Sequence, residues 1–346
     1  MTGTKNLFIV TLLFLATSCS KPNVEDLWLV SEESILVTDG FARDVDIRGD
    51  NAFVAAGQSG LQVWDLLSSS KLNDFQGYVE AGEFLEFDDL AIVERDSVNN
   101  LIFVSESNRD VKIFYFDYGD SIHYRSPPIM SARTRGLKSY PTFKGQFIMF
   151  TADNDDGMKW GFFNRDSSNI LGIELISWVL EGGGEIYTPG KPIGIDSDGL
   201  GFIAMAVDQM GVELYSIDSL GSEPVLINRI DTEGNAEKVV LTSDGMFAAC
   251  DDAGAYYIPK SSFLNGDNNR HKRFAKDLTV DHISIKDNIA VLSLGSKGIA
   301  LYDVTDPFSP IERGIFSIGY TYKTKFWGDN LLVCSREGLQ ILSIGQ

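Results

Sequence analysis

The chain has 346 residues, 44% of them hydrophobic and 23% charged, with a formal net charge of −20. These proportions exclude a disordered polymer, and the acidic excess excludes nucleic acid as a partner, because that binding needs clustered Lys and Arg. Three cysteines, Cys19, Cys250 and Cys334, are too few for a disulfide scaffold.

The first twenty residues, "MTGTKNLFIVTLLFLATSCS", read as an address. One positive charge, Lys5, precedes an apolar run from Leu7 to Ala16, and small residues follow. This is the three-part pattern of a secretory signal, too short to span a bilayer. "LATSC" resembles a bacterial lipobox. Residues 1–18 are therefore expected to be a lipoprotein signal peptide, Cys19 the lipidated N-terminus of the mature chain, and residues 19–25 a polar tether. The alternative is an ordinary signal peptide with an incidental cysteine. Several acyl chains on Cys19 would anchor stably, at about 0.8 kcal/mol for each buried CH₂.

"DLWLVSEESILVTD", Asp26 to Asp39, has strand character. Next comes "ARDVDIRGDNAFVAAGQSGLQVWDL", Ala42 to Leu66, which divides into three strand-like runs. "RDVDI" turns through "RGDN", where Gly and Asn supply positive φ, into "AFVAA"; the loop "GQSG" then leads into "LQVWDL". The third run recurs as "DVKIFYF", "GMKWGFF", "GVELYSI", "GAYYIPK", "GIALYDV" and "GLQILSI", at steps of 50, 47, 54, 43, 44 and 40 residues. Each copy follows a partner run such as "NLIFVSES", "GFIAMAVD" or "NLLVCSRE". The runs are short, rich in β-branched and aromatic residues, and bounded by Gly, Asn and Asp, as strands are.

Many runs are apolar on both faces, so sheets must cover sheets. Seven repeats of three clear strands and a variable fourth predict an all-β fold, a seven-bladed β-propeller over residues 26–346. The last repeat ends without a fourth strand, and the Asp26–Asp39 segment is expected to complete it, with Leu27–Leu36 beside Leu339–Ile344. The extra length of the second to fourth repeats is assigned to fourth strands and surface loops. "NILGIELISWVL", Asn169 to Leu180, reads as an outer strand and "EGGGEIYTPGKP", Glu181 to Pro192, as an inter-blade loop with Tyr187 exposed.

"ARDVDIRGDNAFVAAGQSGLQVWDL" and "IALYDVTDPFSP" resemble the LVIVD-type propeller repeats of bacterial and archaeal surface proteins. The match is good in the first, sixth and seventh repeats, loose in the second, fourth and fifth, and poor in the third. The resemblance implies an extracytoplasmic propeller and implies no particular reaction. Despite "VWDL", the repeats lack the Trp-Asp ending and Gly-His opening of WD40 blades.

Candidate chemistry is sparse. The histidines are His123, His271 and His282. They are too few for a His-rich metal centre, and only His282 falls on an innermost strand near the channel mouth. Cys250 and Cys334 read as small buried residues in blades that are not neighbours. "DNDDG" loosely resembles a calcium loop, with Asp153 and Asp155 as weak candidate ligands, but position 164 is Asn where a Glu is wanted. Asp208, Asp251 and Asp252 occupy comparable loops in other blades. Asp44, Asp89 and His282 are placed at equivalent repeat positions on the same face, with Arg43 and Arg135 as counter-charges. Together these residues form a candidate ligand- or cation-binding face, against the simpler reading that Asp favours such loops.

The expected function is that of a non-catalytic binding or scaffold protein of the bacterial envelope, at the outer membrane or cell surface. It would be a monomer without a cofactor, and its partner would be a protein or glycan. The alternatives are an envelope hydrolase or lyase using channel-mouth carboxylates, and a calcium-stabilised structural propeller.

Overall fold

The computed structural model describes residues 26–107, 109–117, 121–125, 133–155, 157–170, 173–199, 201–219 and 221–345. Residues 1–25, with the signal peptide, Cys19 and the tether, lie outside the described residues.

The chain forms seven four-stranded antiparallel sheets and one extra two-stranded hairpin. Each sheet is a blade whose four strands run outward from a central channel, in chain order in six of the seven. The fold is a seven-bladed β-propeller. Its apolar core is divided into seven clusters, one between each pair of adjacent blades. The strand "NAFVA" shows why the runs are apolar on both faces. Ala52 and Val54 pack towards blade seven, while Phe53 and Ala55 pack towards blade two. Met246 and Ala248 likewise face blade four, and Phe247 and Ala249 face blade six. Side chains alternate along a strand, so a strand sandwiched between two sheets needs apolar residues at every position.

Blade seven takes its outer strand from the other end of the chain. Leu29–Leu36 runs antiparallel to Leu339–Gly345, from Leu29 beside Gly345 to Leu36 beside Leu339. The glycine that opens most third runs has one cause. A Cβ on Gly60, Gly211 or Gly298 would sit 2.2, 2.3 or 2.1 Å from a carbonyl oxygen at the end of its own outer strand. Gly338 follows the rule, but the carbonyl, at 2.3 Å, belongs to Leu36 of the N-terminal strand. All four also have positive φ, so any side chain is excluded on two grounds.

Three local expectations need correction. In "RGDN" the positive φ is at Gly49 alone, because Arg48 pairs directly with Asn51 across a two-residue turn. Glu181–Ile186 is no loop. It continues the 14-residue outer strand Ile173–Ile186 of blade three, whose partner Gly157–Ile170 is equally long. Between blades one and two, where only loop length was apparent, Gly77–Glu80 and Glu83–Glu86 form a hairpin. Tyr78 and Phe87 fasten it to Phe114 of blade two.

Cys250 and Cys334 are buried and unbridged. Burial pushes the Cys250 thiol up to about 12 and the Cys334 thiol well above its ordinary value, which leaves both as inert packing groups.

Candidate functional site

The loops between second and third strands lie on one face of the disc, together with the starts of the inner strands. Backbone bridges join them across blades: Gly57 to Leu90, Asp208 to Ala236, Asp251 to Val280 and Gly295 to Thr321. On this face the central channel opens, with a volume of about 850 Å³.

Strand pairing defines levels within the channel. At the first inward level, blades five, six and seven contribute Lys238, His282 and Lys323, and blade one contributes Asp44. Blades two, three and four contribute Ile92, Gly136 and Gly194. Both glycines are required by packing. A Cβ on Gly194 would lie 2.5 Å from the Glu237 carbonyl of the next inner strand, and one on Gly136 would lie 2.8 Å from that of Ile193. Two residues deeper stand Asp46, Glu94, Lys138, Asp196, Val240, Ser284 and Lys325.

The deeper level is largely self-satisfied. Lys325 donates to Asp46. Lys138 lies 3.5 Å from Asp196. Glu94 accepts from Ser139 at its backbone N, 2.7 Å away, and at its Oγ, 3.1 Å away. Glu94 and Asp196 hold the Lys138 ammonium above its ordinary pKa against the effect of burial. At the first level, Lys323 donates to Asp44 at 2.7 Å.

Two neighbours at that level are not satisfied. No ion pair or hydrogen bond engages the Lys238 ammonium among the described residues. Burial depresses its pKa, and the carboxylates that act on it, Asp196 and Asp44, are already bound to other lysines. His282 is only 9% exposed, and its Nδ1 has no hydrogen-bond partner. Burial and the Lys238 and Lys323 charges hold its imidazole well below the usual range, so it is neutral.

Above them, at the rim, Glu237 and Asp281 precede Lys238 and His282 in the chain, and the loops bring in Asp208 and Asp251. Burial and then the Asp251 carboxylate push Glu237 up to about 7, with Asp208 and Asp281 adding and Arg135 opposing. Asp208 and Asp251 have φ of 42° and 47°, where blades one and six place Gly57 and Gly295. Acidic side chains thus stand at positions for which glycine is the unstrained choice.

A raised folded-state pKa means that the folded protein holds the proton more tightly than the unfolded chain. Glu237 therefore costs stability as pH rises from about 4.5 through about 7. Replacing Glu237 by Gln is expected to raise stability by about 2 kcal/mol at pH 8, after allowance for channel water, and to change little at pH 4.5. Thermal melts of both proteins at the two pH values check this; a pH-independent difference would remove Glu237 as the titrating group.

The candidates named from sequence separate into groups. Asp44 and His282 occupy equivalent channel positions as expected. Asp89 does not, because Ile92 takes that place. Asp89 lies in the preceding loop, bound by Arg43 at 3.4 Å and Ser107 at 2.7 Å. Arg43 also lies over the Tyr322 ring, 5.1 Å from its centroid. Arg135, Asp208 and Asp251 reach the mouth, while Asp252 is exposed on its loop. Asp153 is buried 3.7 Å from Lys159, and Asp155 pairs with Arg133 at 3.0 Å, so both candidate ligands of the calcium-like loop are engaged by cations. No group of three metal-ligating side chains is found among the described residues.

Lys138, Lys238, Lys323, Lys325, Glu94, Glu237 and Asp281 were missed. The signal for the four lysines was the alternation within the first runs "EKVVL", "LKSY" and "YKTKFW", and Glu94 and Asp281 stand in "LAIVERD" and "DHISIK", legible once the inner strands are aligned by blade.

No family model matches the chain, and no curated protein does. Among solved structures, the WD40 β-propeller domain of Doa1 is similar with a TM-score of 0.64 and 12% identity, over 92% of this chain and 97% of that one. The computationally designed Ika8 protein is similar with a TM-score of 0.59 and 10% identity, over 90% and 99%. At these identities the likeness shows the fold alone.

Proposed function

We propose that this chain is a lipid-anchored, extracytoplasmic propeller of the bacterial envelope, of the LVIVD-repeat kind, which binds a partner non-catalytically at its channel mouth. The observation that carries this reading is a channel whose first level and rim hold Lys238, His282 Nδ1 and Glu237 without hydrogen-bond or ion-pair partners among the described residues, above a deeper level that is largely paired. His282 is buried and Lys238 and Glu237 are half-buried; polar groups withdrawn from water without partners are costly, and a bound partner offsets that cost.

The lipobox-like "LATSC" supports the anchor. Geometry supports its orientation. The N-terminal strand starts at Leu29, beside Gly345, on the face opposite the rim carboxylates. A lipid on Cys19 would thus hold that opposite face towards the membrane and leave the mouth free. Cys19→Ser is expected to release the folded protein into the soluble fraction, and retention in the membrane would refute the anchor. Affinity capture from envelope extract tests the binding surface. The wild type should retain a partner that an Asp251→Asn, Asp281→Asn double variant loses, and equal capture by both would exclude the mouth.

A second reading, an envelope hydrolase or lyase, draws on Glu237, whose carboxyl near 7 suits acid–base work. The deeper carboxylates that would have to join it, Asp46 and Glu94, are committed to Lys325 and Ser139.

A further inference from the structure

The unsatisfied groups at the mouth are layered by charge. The rim bears carboxylates: Glu237, Asp281, Asp208 and Asp251. One residue further in, about 3.3 Å along each strand, stand Lys238 and His282. Lys323 lies beside them but is engaged by Asp44. On the adjoining inner strands of blades four and three, Gly194 and Gly136 leave bare backbone beside Lys238, and the wall opposite carries Ile92 of blade two.

A ligand carrying only negative charge would have to pass and then sit beneath the rim carboxylates. A ligand carrying only positive charge would satisfy the rim and leave Lys238 unpaired. One class of molecule satisfies both layers. We propose that the channel mouth holds a small zwitterion of the α-amino acid or short-peptide class, its carboxylate between Lys238 Nζ and His282 Nδ1 and its ammonium among Glu237, Asp281 and Asp251. This deepens the binding function proposed above and rests on it.

The chemistry on each side is matched. Lys238 supplies an ammonium that no protein carboxylate occupies, and His282 Nδ1 is a buried ring nitrogen with a free hydrogen-bonding valence. Charge-assisted hydrogen bonds are the strong ones, and His282 is already desolvated, so little further cost attends binding on its side. At the rim, mutual repulsion among the carboxylates is relieved by a cation. The positive φ of Asp208 and Asp251 fits the same account, because glycine in those loops would be less strained but would carry no charge to the mouth.

The test uses the purified full-length protein and isothermal titration calorimetry at pH 7. The probes are alanyl-alanine, its N-acetyl form (anion only), its C-terminal amide (cation only) and inorganic phosphate. Alanyl-alanine is expected to bind saturably, and each of the other three at least about tenfold more weakly. Lys238→Gln should cost about tenfold or more for alanyl-alanine and leave the amide unchanged. Glu237→Gln should weaken alanyl-alanine and the amide and should not weaken the N-acetyl form, whose repulsion by the rim it reduces. A cooperative melt certifies each variant, and Lys238→Met serves if the Gln variant does not fold. Equal binding of the N-acetyl form or phosphate would make this a plain anion site and overturn the proposal. Absence of heat with alanyl-alanine at millimolar concentration would also overturn it. Envelope capture separates the two levels of inference. Capture that persists in Lys238→Gln, with no dipeptide binding, defeats the zwitterion and leaves the binding reading standing. Dipeptide binding without any captured partner defeats the macromolecular partner alone.

Discussion

Deleting residues 1–36 is expected to abolish cooperative unfolding of the propeller, while Cys19→Ser leaves the melt intact. The deleted segment is structural. Leu29–Leu36 pairs along Leu339–Gly345, and Leu36 and Trp28 bury their side chains in the clusters between blades seven and one and between blades six and seven. Each such burial contributes about 1.5–3 kcal/mol, and a ladder of backbone hydrogen bonds is lost with them. The stability of a whole domain is only about 5–15 kcal/mol, so this deletion removes a large fraction of it. It also leaves blade seven as three strands with an open edge beside Leu339 and Ile341. The comparison with Cys19→Ser separates loss of the anchor from loss of the strand. Circular-dichroism melts of the two proteins decide it, and a truncated chain melting cooperatively within a few degrees of the full one would refute the closure.

The second large effect is expected from Arg229→Ala. Glu213 is fully buried in the third strand of blade four, facing the outer strand. Arg229 Nε donates to its Oε1 at 2.7 Å, a second guanidinium nitrogen donates to the same oxygen, and the Tyr215 hydroxyl donates to Oε2. Burial and the Glu213 charge push the Tyr215 phenol up, so it remains a donor and supplies no compensating charge. Removing the guanidinium leaves an uncompensated carboxylate inside the protein, which costs about 3–5 kcal/mol. The melting temperature should fall by roughly 10 °C. Glu213→Leu added to Arg229→Ala should recover much of the loss, because a buried charge is then no longer stranded. A single variant with an unchanged melting temperature would show the pair to be solvated.

Much of the fold was legible because propeller blades are local. Six of the blades are each about forty to fifty consecutive residues whose strands pair with their neighbours in sequence, and doubly buried strands advertise themselves through unbroken apolar runs. The repeated Gly-Leu phrase was legible for the same reason: Gly60 and Gly338 each meet an outer-strand carbonyl where no Cβ fits. The hairpin at Gly77–Glu86 was not, because its sequence "GYVEAGEFLE" is short and carries three glutamates, and Tyr78 is the one large side chain buried within it. Glu181–Ile186 was misread because glycines usually mark loops. Gly183 in fact allows close cross-strand packing, with its absent Cβ 2.8 Å from the Trp160 carbonyl.

By itself the sequence determined the class, the number of blades and the way the ring closes, since these follow from periodicity and from strand signals within each repeat. Only the tertiary structure decided the channel. Its charges come from different blades, on inner strands roughly forty or more positions apart, and ring closure brings them together around one channel. Asp44 meets Lys323 across 279 positions, a pairing no local pattern encodes. Which groups remain unpaired is a property of the closed ring, because it depends on every partner already taken. Asp89, acidic and on the right face, is held outside the channel by Arg43, while Lys238 and Glu237, unremarked in a run of ordinary strand residues, are left open at the mouth.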